Sequence, residues 1–426
     1  MSDVSEASDV LKTIEGVWKN ESARLIAGIA RVTRDIGVAE ELAQDALVSA
    51  LEQWPEQGVP ENPGAWLMKS AKWRAIDSFR RAQNLAPKHE EITRELEAQQ
   101  QRLGEEIEHL SDQVIDDDIL RLLFTACHPV LAIEARIALM LRILGGLSTT
   151  EIARAFLVPD KTMGQRITRA KKTLTDANVP FETPRGEELR ERGESVLLVI
   201  YLIFNEGYTA TSGEEWSRAA LVEEALRLAR MLVKLIPEES ETHALLALME
   251  INASRSAARR GVNGEAILLP EQDRTLWDHA QIQRGLAALD QAQKLGGSAE
   301  PYALQAAIAA CHARVLKVED TDWRSIVGLY DLLLKIKPSP IVALNRAVAV
   351  SMADGPAAGL AAADAIDCLS NYHLYPSVRG DLLMKLGHSA EAREELQRAI
   401  SLTDNGREKQ LLTEKLNRID SEERFA

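Results

Sequence analysis

The chain has 426 residues, of which 46% are hydrophobic and only 4% aromatic, and it carries 65 acidic against 50 basic side chains. This length predicts two or three domains, and the hydrophobic content is ample for packed cores. The net charge of -15 excludes a protein that coats nucleic acid or anionic membrane over its whole surface. A local basic site remains compatible with that charge.

Three features of the sequence bear on its location. The three cysteines lie far apart with no paired spacing, which is typical of a reducing compartment rather than of a disulfide framework. The first residues, MSDVSEASDV, are acidic and polar and lack the pattern of a secretory signal. The longest apolar run, VLLVIYLIF at 196–204, is about half the roughly 20 residues that a membrane-spanning helix needs. We therefore expect a cytoplasmic protein that does not contact a membrane.

The first part of the chain, residues 10–81, shows helical periodicity with one interruption. The stretch WPEQGVPENPG at 54–64 contains three prolines and two glycines, which exclude a continuous helix there. The helix predicted after it has a basic face, with five cations and one acid between Lys69 and Arg81. Residues 82–118 then contain eleven acids against three cations and no aromatic residue. This composition predicts an acidic linker between two domains.

A second helical unit is predicted at 119–175, followed from about 195 by a long region rich in Ala and Leu. Two stretches of that region, around Gly355 and Gly387, share the order helix, glycine turn, Ala-rich helix and lie 32 residues apart. This offset is close to the roughly 34-residue helical hairpin of tetratricopeptide arrays. It favours degenerate helical repeats, with an irregular helical domain as the alternative.

The segment TTEIARAFLVPDKTMGQRITRAKKTL, at 149–174, predicts a helix-turn-helix. Residues 149–156 form a short amphipathic helix, Pro159 prevents its continuation, and Asp160 can cap a second helix. The helical spacing of apolar residues predicts that one face of the second helix lies in the core. The residues on that face are Met163, Ile167, Ala170 and Leu174.

The opposite face of this second helix is basic, with five cations and no acid between Lys161 and Leu174. Three of its side chains point where they would reach base edges, namely Lys161, Gln165 and Thr168. Four more are placed to neutralise phosphates, namely Arg166, Arg169, Lys171 and Lys172. The alternative is a solvated charged helix without a ligand, which is the usual explanation of such a run.

DIGVAEELAQDALVSALEQW at 35–54, followed by AWLMKSAKWRAIDSFRR at 65–81, resembles region 2 of the sigma-70 family in its extracytoplasmic-function branch. The helix-turn-helix is similar to region 4 of the same family, with Leu157 standing where a glycine is usual in the turn. Short motifs such as FNEGY at 204–208 and LNRAVAV at 344–350 resemble the group with a tetratricopeptide-like C-terminal extension. The residues that carry the resemblance to region 2 are Asp35, Ala39, Glu40, Glu41, Leu42, Gln44, Asp45, Trp66, Leu67, Ala71, Ile76, Asp77, Arg80 and Arg81.

The resemblance implies an all-α protein whose partners are core RNA polymerase and promoter DNA. It implies region 2 at 1–81, the acidic linker at 82–118, region 4 at 119–180 and a tetratricopeptide-like domain at 195–426. The residues implied for polymerase binding are Asp35, Glu40, Glu41, Leu42, Gln44 and Asp45. Those implied for the -10 element are Lys69, Lys72, Trp73, Arg74, Arg80 and Arg81. Those implied for the -35 element are Lys161, Thr162, Gln165, Arg166, Thr168, Arg169, Lys171 and Lys172.

The resemblance also implies that the C-terminal domain regulates the sigma regions or binds a further protein or ligand. The acidic linker could cover the basic helices in the free protein, because acids placed there would suppress nonspecific DNA binding. Trp66 and Phe79 are expected in the core rather than on DNA.

No enzymatic function is predicted. The pairs Cys127-His128 and Cys311-His312 lack zinc-type spacing, so neither metal nor cofactor is expected. The sequence has no phosphate-binding glycine loop, nucleophile elbow or convincing carboxylate pair. Two alternatives stay open: a helix-turn-helix regulator with a helical sensing domain that does not bind polymerase, and a helical scaffold with an incidental basic helix.

Overall fold

The computed structural model describes residues 2–84, 112–156, 158–209, 215–259, 261, 267–367, 369, 372–403 and 406–425. Within these ranges the regular structure consists of α-helices with short 3₁₀ and π turns, and no strand occurs in them. The prediction of an all-α fold is confirmed. The chain divides into two compact units, one formed by 1–207 with 215–235 and the other by 208–214 with 236–426.

The first unit contains nine of the described helices and a π-helical turn, Met140–Leu144, that continues α5. Helices α1, α2 and α3 pack against one another, α1 also packs against α4, and α9 packs against α4 and α6. The helices are α1 (Ser2–Thr33), α2 (Ile36–Gln57), α3 (Pro63–Asn84), α4 (Asp112–Ala126), α5 (Ile133–Leu139), α6 (Thr149–Ala155), α7 (Asp160–Asp176), α8 (Glu187–Thr209) and α9 (Glu215–Leu235).

Helix α2 extends further than the sequence predicts. It continues through Pro55 to Gln57, whereas a break was expected from residue 54. Proline removes only one donor from the last turn, and the backbone N–H of Gly58 closes that turn on the Trp54 carbonyl at 2.9 Å. Gly58 has a φ of 83°, a conformation that favours glycine and ends the helix. The break therefore lies between Gly58 and Asn62.

The predicted acidic linker at 82–118 lies largely outside the described residues. Its first residues belong to α3, which ends at Asn84, and its last belong to α4, which begins at Asp112. Asp118, the last acid of the stretch, is buried in the first unit. Its carboxylate lies 2.5 Å from Arg121 and 3.8 Å from Arg31 of α1. This end of the acidic stretch is therefore packed between helices.

Helix α8 belongs to the first unit because it contacts α4 and α5 through polar side chains. Arg192 is buried, donates a 2.8 Å hydrogen bond to the Phe124 carbonyl and lies 5.7 Å from the centre of that ring. Arg136 donates to Ser195 Oγ at 2.7 Å. A domain boundary was expected at 195, but α8 and α9 belong to the same unit as the helix-turn-helix.

The second unit is a succession of helices in which each packs against a chain neighbour. Both stretches that predicted repeats fall on helix pairs, with Gly355 (φ 96°) and Gly387 (φ 78°) in the connecting turns. The helices are α10 (Ser240–Ala253), α11 (His279–Lys294), α12 (Pro301–Ala313), α13 (Trp323–Ile336), α14 (Pro340–Asp354), α15 (Pro356–Asp364), α16 (Leu374–Lys385), α17 (Ser389–Leu402) and α18 (Gly406–Phe425).

A buried histidine ties α12 to α13. The ring of His312 packs edge-on against Trp323, with 5.1 Å between the centroids, and Arg274 donates to the His312 carbonyl at 2.8 Å. Burial, followed by the positive charges of Arg255 and Arg274, lowers the pKa of His312 from 6.5 to about 4. The imidazole is therefore neutral in the folded protein near pH 7.

The lowered pKa of His312 makes the stability of the second unit depend on pH. Between pH 6.5 and about 4 the unfolded chain binds a proton that the folded chain does not, so the free energy of unfolding falls as pH is lowered through this window. The expected loss is about 3 kcal/mol, at about 1.4 kcal/mol per pKa unit.

Urea unfolding of the full chain between pH 4 and 8 measures this dependence. His312→Gln should flatten it, whereas His279→Gln, which changes an exposed histidine, should leave it as in the parent chain. An equally steep loss of stability in the His312→Gln protein would contradict the assignment.

Candidate nucleic-acid interface

The first helix of the helix-turn-helix begins at a reciprocal cap. Ser148 Oγ accepts from the Glu151 backbone N–H at 3.1 Å, and the Glu151 carboxylate accepts from the Ser148 N–H at 2.7 Å. Asp160, predicted to cap the second helix, is instead its first helical residue, and Pro159 occupies the cap position. The carboxylate of Asp160 accepts a hydrogen bond from Thr150 Oγ1 at 2.8 Å, and this bond joins the two helices. Leu157, which stands where a glycine is usual in the turn, lies outside the described residues.

Helix α7 has the two faces that its sequence predicts. The apolar face is confirmed, because all four of its predicted residues are buried. On the other face Arg166 and Lys171 are half-buried. The remaining predicted DNA-binding residues are exposed to solvent, namely Lys161, Thr162, Gln165, Thr168, Arg169 and Lys172. Six polar side chains can therefore meet a ligand without rearrangement.

Helix α3 carries the residues implied for the -10 element. Trp73 is 64% exposed, an unusual position for a large aromatic ring, and Lys69 beside it is exposed as well. Lys72 and Arg74 are half-buried. The backbone of α3 includes Arg80 and Arg81, but their side chains lie outside the described part of the chain, as does that of Phe79.

Two contacts hold α3 against α2. The Arg74 guanidinium donates to Ser49 Oγ at 2.6 Å and lies 3.7 Å from the Asp45 carboxylate. Trp66 packs edge-on against the buried Trp54, with 5.4 Å between the ring centroids. As predicted, Trp66 supports the packing of the helices rather than facing solvent. These contacts leave Trp73 pointing away from the helix pair.

The residues implied for polymerase binding on α2 do not share one surface. Glu41 and Asp45 are exposed, Gln44 is half-buried, and Leu42 is packed in the core. Glu40 is 2% exposed. Asp35 caps α2, since its Oδ1 accepts from the Val38 N–H at 3.0 Å.

Glu40 is buried because the helix-turn-helix covers it. Arg142, in the π turn, places its Nε 2.7 Å from Glu40 Oε1, and the Lys171 ammonium of α7 contacts the other carboxylate oxygen. The Gln44 amide also donates to the carboxylate. We call this group, Glu40 with Arg142 and Lys171, the Glu40 contact. The sequence did not predict the role of Arg142, because this residue belongs to none of the motifs.

A second hydrogen bond joins the same two helices. The Thr175 hydroxyl donates to Asp35 Oδ2 at 2.9 Å. Thr175 lies one helical turn beyond Lys171, and Asp35 lies at the start of α2. The residues predicted to bind polymerase and the helix predicted to bind DNA therefore contact each other directly within the first unit.

In the two Cys-His pairs Cys127 and His312 are buried, whereas His128 and Cys311 are half-buried. Burial raises the pKa of the Cys127 thiol to about 12, and it also raises the pKa of Cys311. A protonated thiol is a poor metal ligand. Among the residues that the structure describes, no three His, Cys, Asp or Glu side chains are grouped as metal ligands would be. None of the described helices is long and apolar enough to span a bilayer.

Comparison with known proteins covers most of the chain. Residues 20–85 match the model of Sigma-70 region 2, and residues 121–174 match that of Sigma-70, region 4. Residues 192–293 match a family of unknown function, DUF6596. An uncharacterized protein of Rhizobium meliloti (strain 1021) is 43% identical over 399 residues, which is 93% of each chain. The two sigma models fall in order on α1–α3 and α4–α7, so the chain contains regions 2 and 4 of the sigma-70 family.

Proposed function

We propose that this protein is a sigma factor of the extracytoplasmic-function type, which binds core RNA polymerase in the cytoplasm and directs promoter recognition and transcription initiation without catalysing a reaction itself. The observation that carries the proposal is the succession of the two sigma-70 regions in one compact unit. Each region also has an exposed lysine on the helix assigned to DNA, Lys69 on α3 and Lys161 on α7.

Polymerase docking is assigned to the exposed part of α2, around Glu41 and Asp45. The Arg74 ion pair of Asp45 is long and open to water, since the Asp45 side chain is 57% exposed. Such pairs contribute about 0–1 kcal/mol, so Asp45 can exchange Arg74 for a cation of polymerase at little cost. Gln44 lies between them at the edge of the same surface.

Charge reversal on this exposed surface tests the assignment. Glu41→Lys with Asp45→Lys should weaken binding of the full chain to core RNA polymerase at least about tenfold, or about 1.4 kcal/mol. The melting temperature should fall only slightly, because both side chains are exposed and the lost Asp45–Arg74 pair contributes about 0–1 kcal/mol. Fluorescence anisotropy of labelled full chain titrated with core RNA polymerase gives the affinity.

The matched control reverses two exposed acids of the second unit, with Glu238→Lys and Glu239→Lys, and should bind as the parent chain does. Glu40→Lys is unsuitable, because it places a third cation between Arg142 and Lys171. If the parent chain binds duplex DNA but not polymerase, the protein is a helix-turn-helix regulator and the proposal is wrong.

Recognition of the -10 element is assigned to α3. Separated DNA strands expose base faces, and an aromatic ring stacks on them with about 1–3 kcal/mol per base. Trp73 is exposed as this role requires. Lys69, Lys72 and Arg74 would follow the backbone of the strand, and Arg80 and Arg81 extend the same basic segment.

Recognition of the -35 element as duplex is assigned to α7. Lys161, Gln165 and Thr168 form the row that reaches base edges in the major groove, with Thr162 beside them. Phosphate contacts fall to the four remaining cations of the helix, namely Arg166, Arg169, Lys171 and Lys172.

The two roles on α7 predict different effects on DNA binding. Lys172→Ala should weaken binding to all duplexes. It should also reduce the slope of log affinity against log salt concentration by about 0.9, which is the contribution of one phosphate contact. Gln165→Ala should keep the salt dependence and lose about 1–3 kcal/mol of discrimination at one base pair. Anisotropy with duplexes selected by the full chain from a random pool, at several salt concentrations, measures both.

Lys335→Ala, which removes an exposed cation of the second unit, is the control and should change neither quantity. An unchanged salt dependence in the Lys172→Ala protein would mean that α7 is an ordinary solvated helix.

The C-terminal region is proposed to be a tetratricopeptide-like domain that regulates the sigma regions or binds a further protein or ligand. The paired helices around Gly355 and Gly387 support repeats. An open cavity of about 600 Å³ between α12 and α13 supports a ligand or peptide partner, and Cys311, Asp322 and Leu329 contribute to its lining. The part of this region that lies in the first unit, α9, contacts the sigma regions, because Arg227 donates to the Leu144 carbonyl.

A further inference from the structure

We propose that the open cavity between α12 and α13 is a binding groove for a short peptide segment, which carries a basic side chain at one end and apolar side chains along the rest. The inference rests on the proposed function of the C-terminal region and deepens it, because that function gives the region a partner of no stated chemistry. It does not depend on the roles assigned to α2, α3 and α7.

Two helix faces form the walls of this cavity, which we call the α12–α13 groove. Its volume of about 600 Å³ is within the range of about 300–1,000 Å³ that ligand sites occupy. On α12 and at its end, the lining residues follow one another at helical spacing, and they are Ala307, Cys311 and Arg314. On α13 they also share one face, and they are Ser325, Gly328, Leu329 and Leu332. The groove is therefore the space between two neighbouring helices and not a packing defect inside one of them.

A glycine in α13 keeps the α12–α13 groove open. Gly328 is exposed and lies in the interior of the helix, where glycine destabilises by about 1 kcal/mol relative to alanine. A Cβ added to Gly328 would meet no other atom within 4 Å, and the backbone there is helical. Neither close packing nor backbone conformation therefore requires a glycine at this position. A larger side chain would instead occupy the groove.

Exposed apolar side chains continue the groove towards the end of α13. Leu332 is 45% exposed, and Ile336, one helical turn later, is 47% exposed. Both lie on the helix face that begins at Ser325, because their positions recur at helical spacing. From residue 325 to residue 336 this face is about 17 Å long, at about 1.5 Å per residue. About five residues of an extended peptide cover that length, whereas a ligand the size of one side chain does not.

Two carboxylates lie at the other end of the α12–α13 groove. Asp320 and Asp322 line the groove and are exposed, and neither forms an ion pair with the described part of the chain. Asp322 caps α13 by accepting from the Ser325 hydroxyl at 2.6 Å and from its backbone N–H at 3.0 Å. These hydrogen bonds lower the pKa of Asp322, so its carboxylate is charged at neutral pH. A basic side chain of a partner is therefore complementary to this end of the groove.

Arg314 makes a peptide a better occupant than a simple organic cation. It is the one cation among the described lining residues, and it forms no ion pair either. Two negative charges and one positive charge leave this end of the groove negative overall. The guanidinium can donate to backbone carbonyl oxygens, which every peptide carries. The combination of acids, a donor for carbonyls and an apolar row predicts a segment with Lys or Arg next to apolar residues.

Selection of peptides on the full chain tests the inference. The probe is a phage-displayed library of random peptides of about 12 residues, long enough to span the groove in helical or extended form. The enriched sequences should place Lys or Arg beside apolar residues, and synthetic copies should bind the full chain with a Kd of about 10 μM or tighter. Fluorescence anisotropy of the labelled peptides gives the affinity. A library that yields no binding peptide overturns the inference.

Filling the groove should abolish this binding without unfolding the protein. Gly328→Leu should weaken binding of the selected peptides at least about tenfold, and it should not destabilise α13, because leucine favours a helix more than glycine does. Gly406→Leu is the matched control, since Gly406 is an exposed helical glycine of α18 whose added Cβ also meets no atom within 4 Å. It should bind the peptides as the parent chain does. If every selected peptide binds the Gly328→Leu protein as tightly as the parent chain, the inference is wrong.

Neutral variants test the basic end of the peptide. Asp320→Asn with Asp322→Asn should weaken binding at least about tenfold, while asparagine at 322 still caps α13. Asp278→Asn, which changes the exposed cap of α11 in the same way, is the control and should bind as the parent chain does. Equal affinity of the double variant and the parent chain would contradict the charge complementarity on which the choice of occupant rests.

The thiol of Cys311 reports directly whether the groove is occupied. It lines the groove and is half-buried, whereas the Cys127 thiol is buried in the first unit. A saturating selected peptide should slow alkylation of Cys311 by iodoacetamide at least about fivefold, by limiting access to the thiol, and should leave Cys127 unchanged. Mass spectrometry of the digested protein separates the two sites. Unchanged alkylation of Cys311 would locate the peptide elsewhere and overturn the inference.

These outcomes are independent of polymerase binding. A chain that binds the selected peptides but not core RNA polymerase would refute the proposed sigma function and support the inference about the groove. A chain that binds polymerase but none of the peptides would do the reverse.

Discussion

A single buried carboxylate joins three elements of the first unit. Glu40 comes from α2, Arg142 from the π turn after α5, and Lys171 from the second helix of the helix-turn-helix. The contacts of α7 with α2 described above are polar, and α7 also packs against α5 and α6. Stability alone does not require ions here, since well-packed apolar residues serve as well or better in such positions. A charged contact differs from an apolar one because each of its side chains can pair instead with another group of opposite charge.

This contact changes how the charge of the chain is understood. A net charge of -15 beside a strongly basic helix suggested that the acidic stretch at 82–118 covers the basic surfaces. Most of that stretch lies outside the described residues. The acids that do lie against α7 are Glu40 and Asp35, which belong to region 2. Glu40 pairs with the Lys171 ammonium, whereas Asp35 accepts from the neutral Thr175 hydroxyl, so one buried acid rather than a diffuse negative segment neutralises a charge of α7. Such short-range pairing is far less screened by salt.

How much the sequence could predict depends on the distance over which each feature is determined. The apolar face of α7, with Met163 and Leu174, follows from a local 3.6-residue period and was predicted correctly. The burial of Glu40 was not predicted, because its partner Arg142 is 102 residues away in the sequence and no local pattern indicates the pair. The end of α2 was predicted too early because Pro55 was taken to break the helix. A proline in the last turn destabilises a helix only slightly, so α2 continues to Gln57. The roles of Arg136 and Arg192 were missed because they bind backbone and hydroxyl groups of distant residues.

The path of α8 has a consequence for modular exchange. This helix begins in the first unit and its last residues, Tyr208 and Thr209, belong to the second. The polar stretch before it, near 185, looks like a natural junction for a chimaera that replaces the C-terminal extension with another domain. A junction there would discard Arg192 and α9, and it would leave the surfaces of α4 and α6 that they cover open to water. The transferable transcription module therefore ends after Leu235, and the extension supplies part of its core.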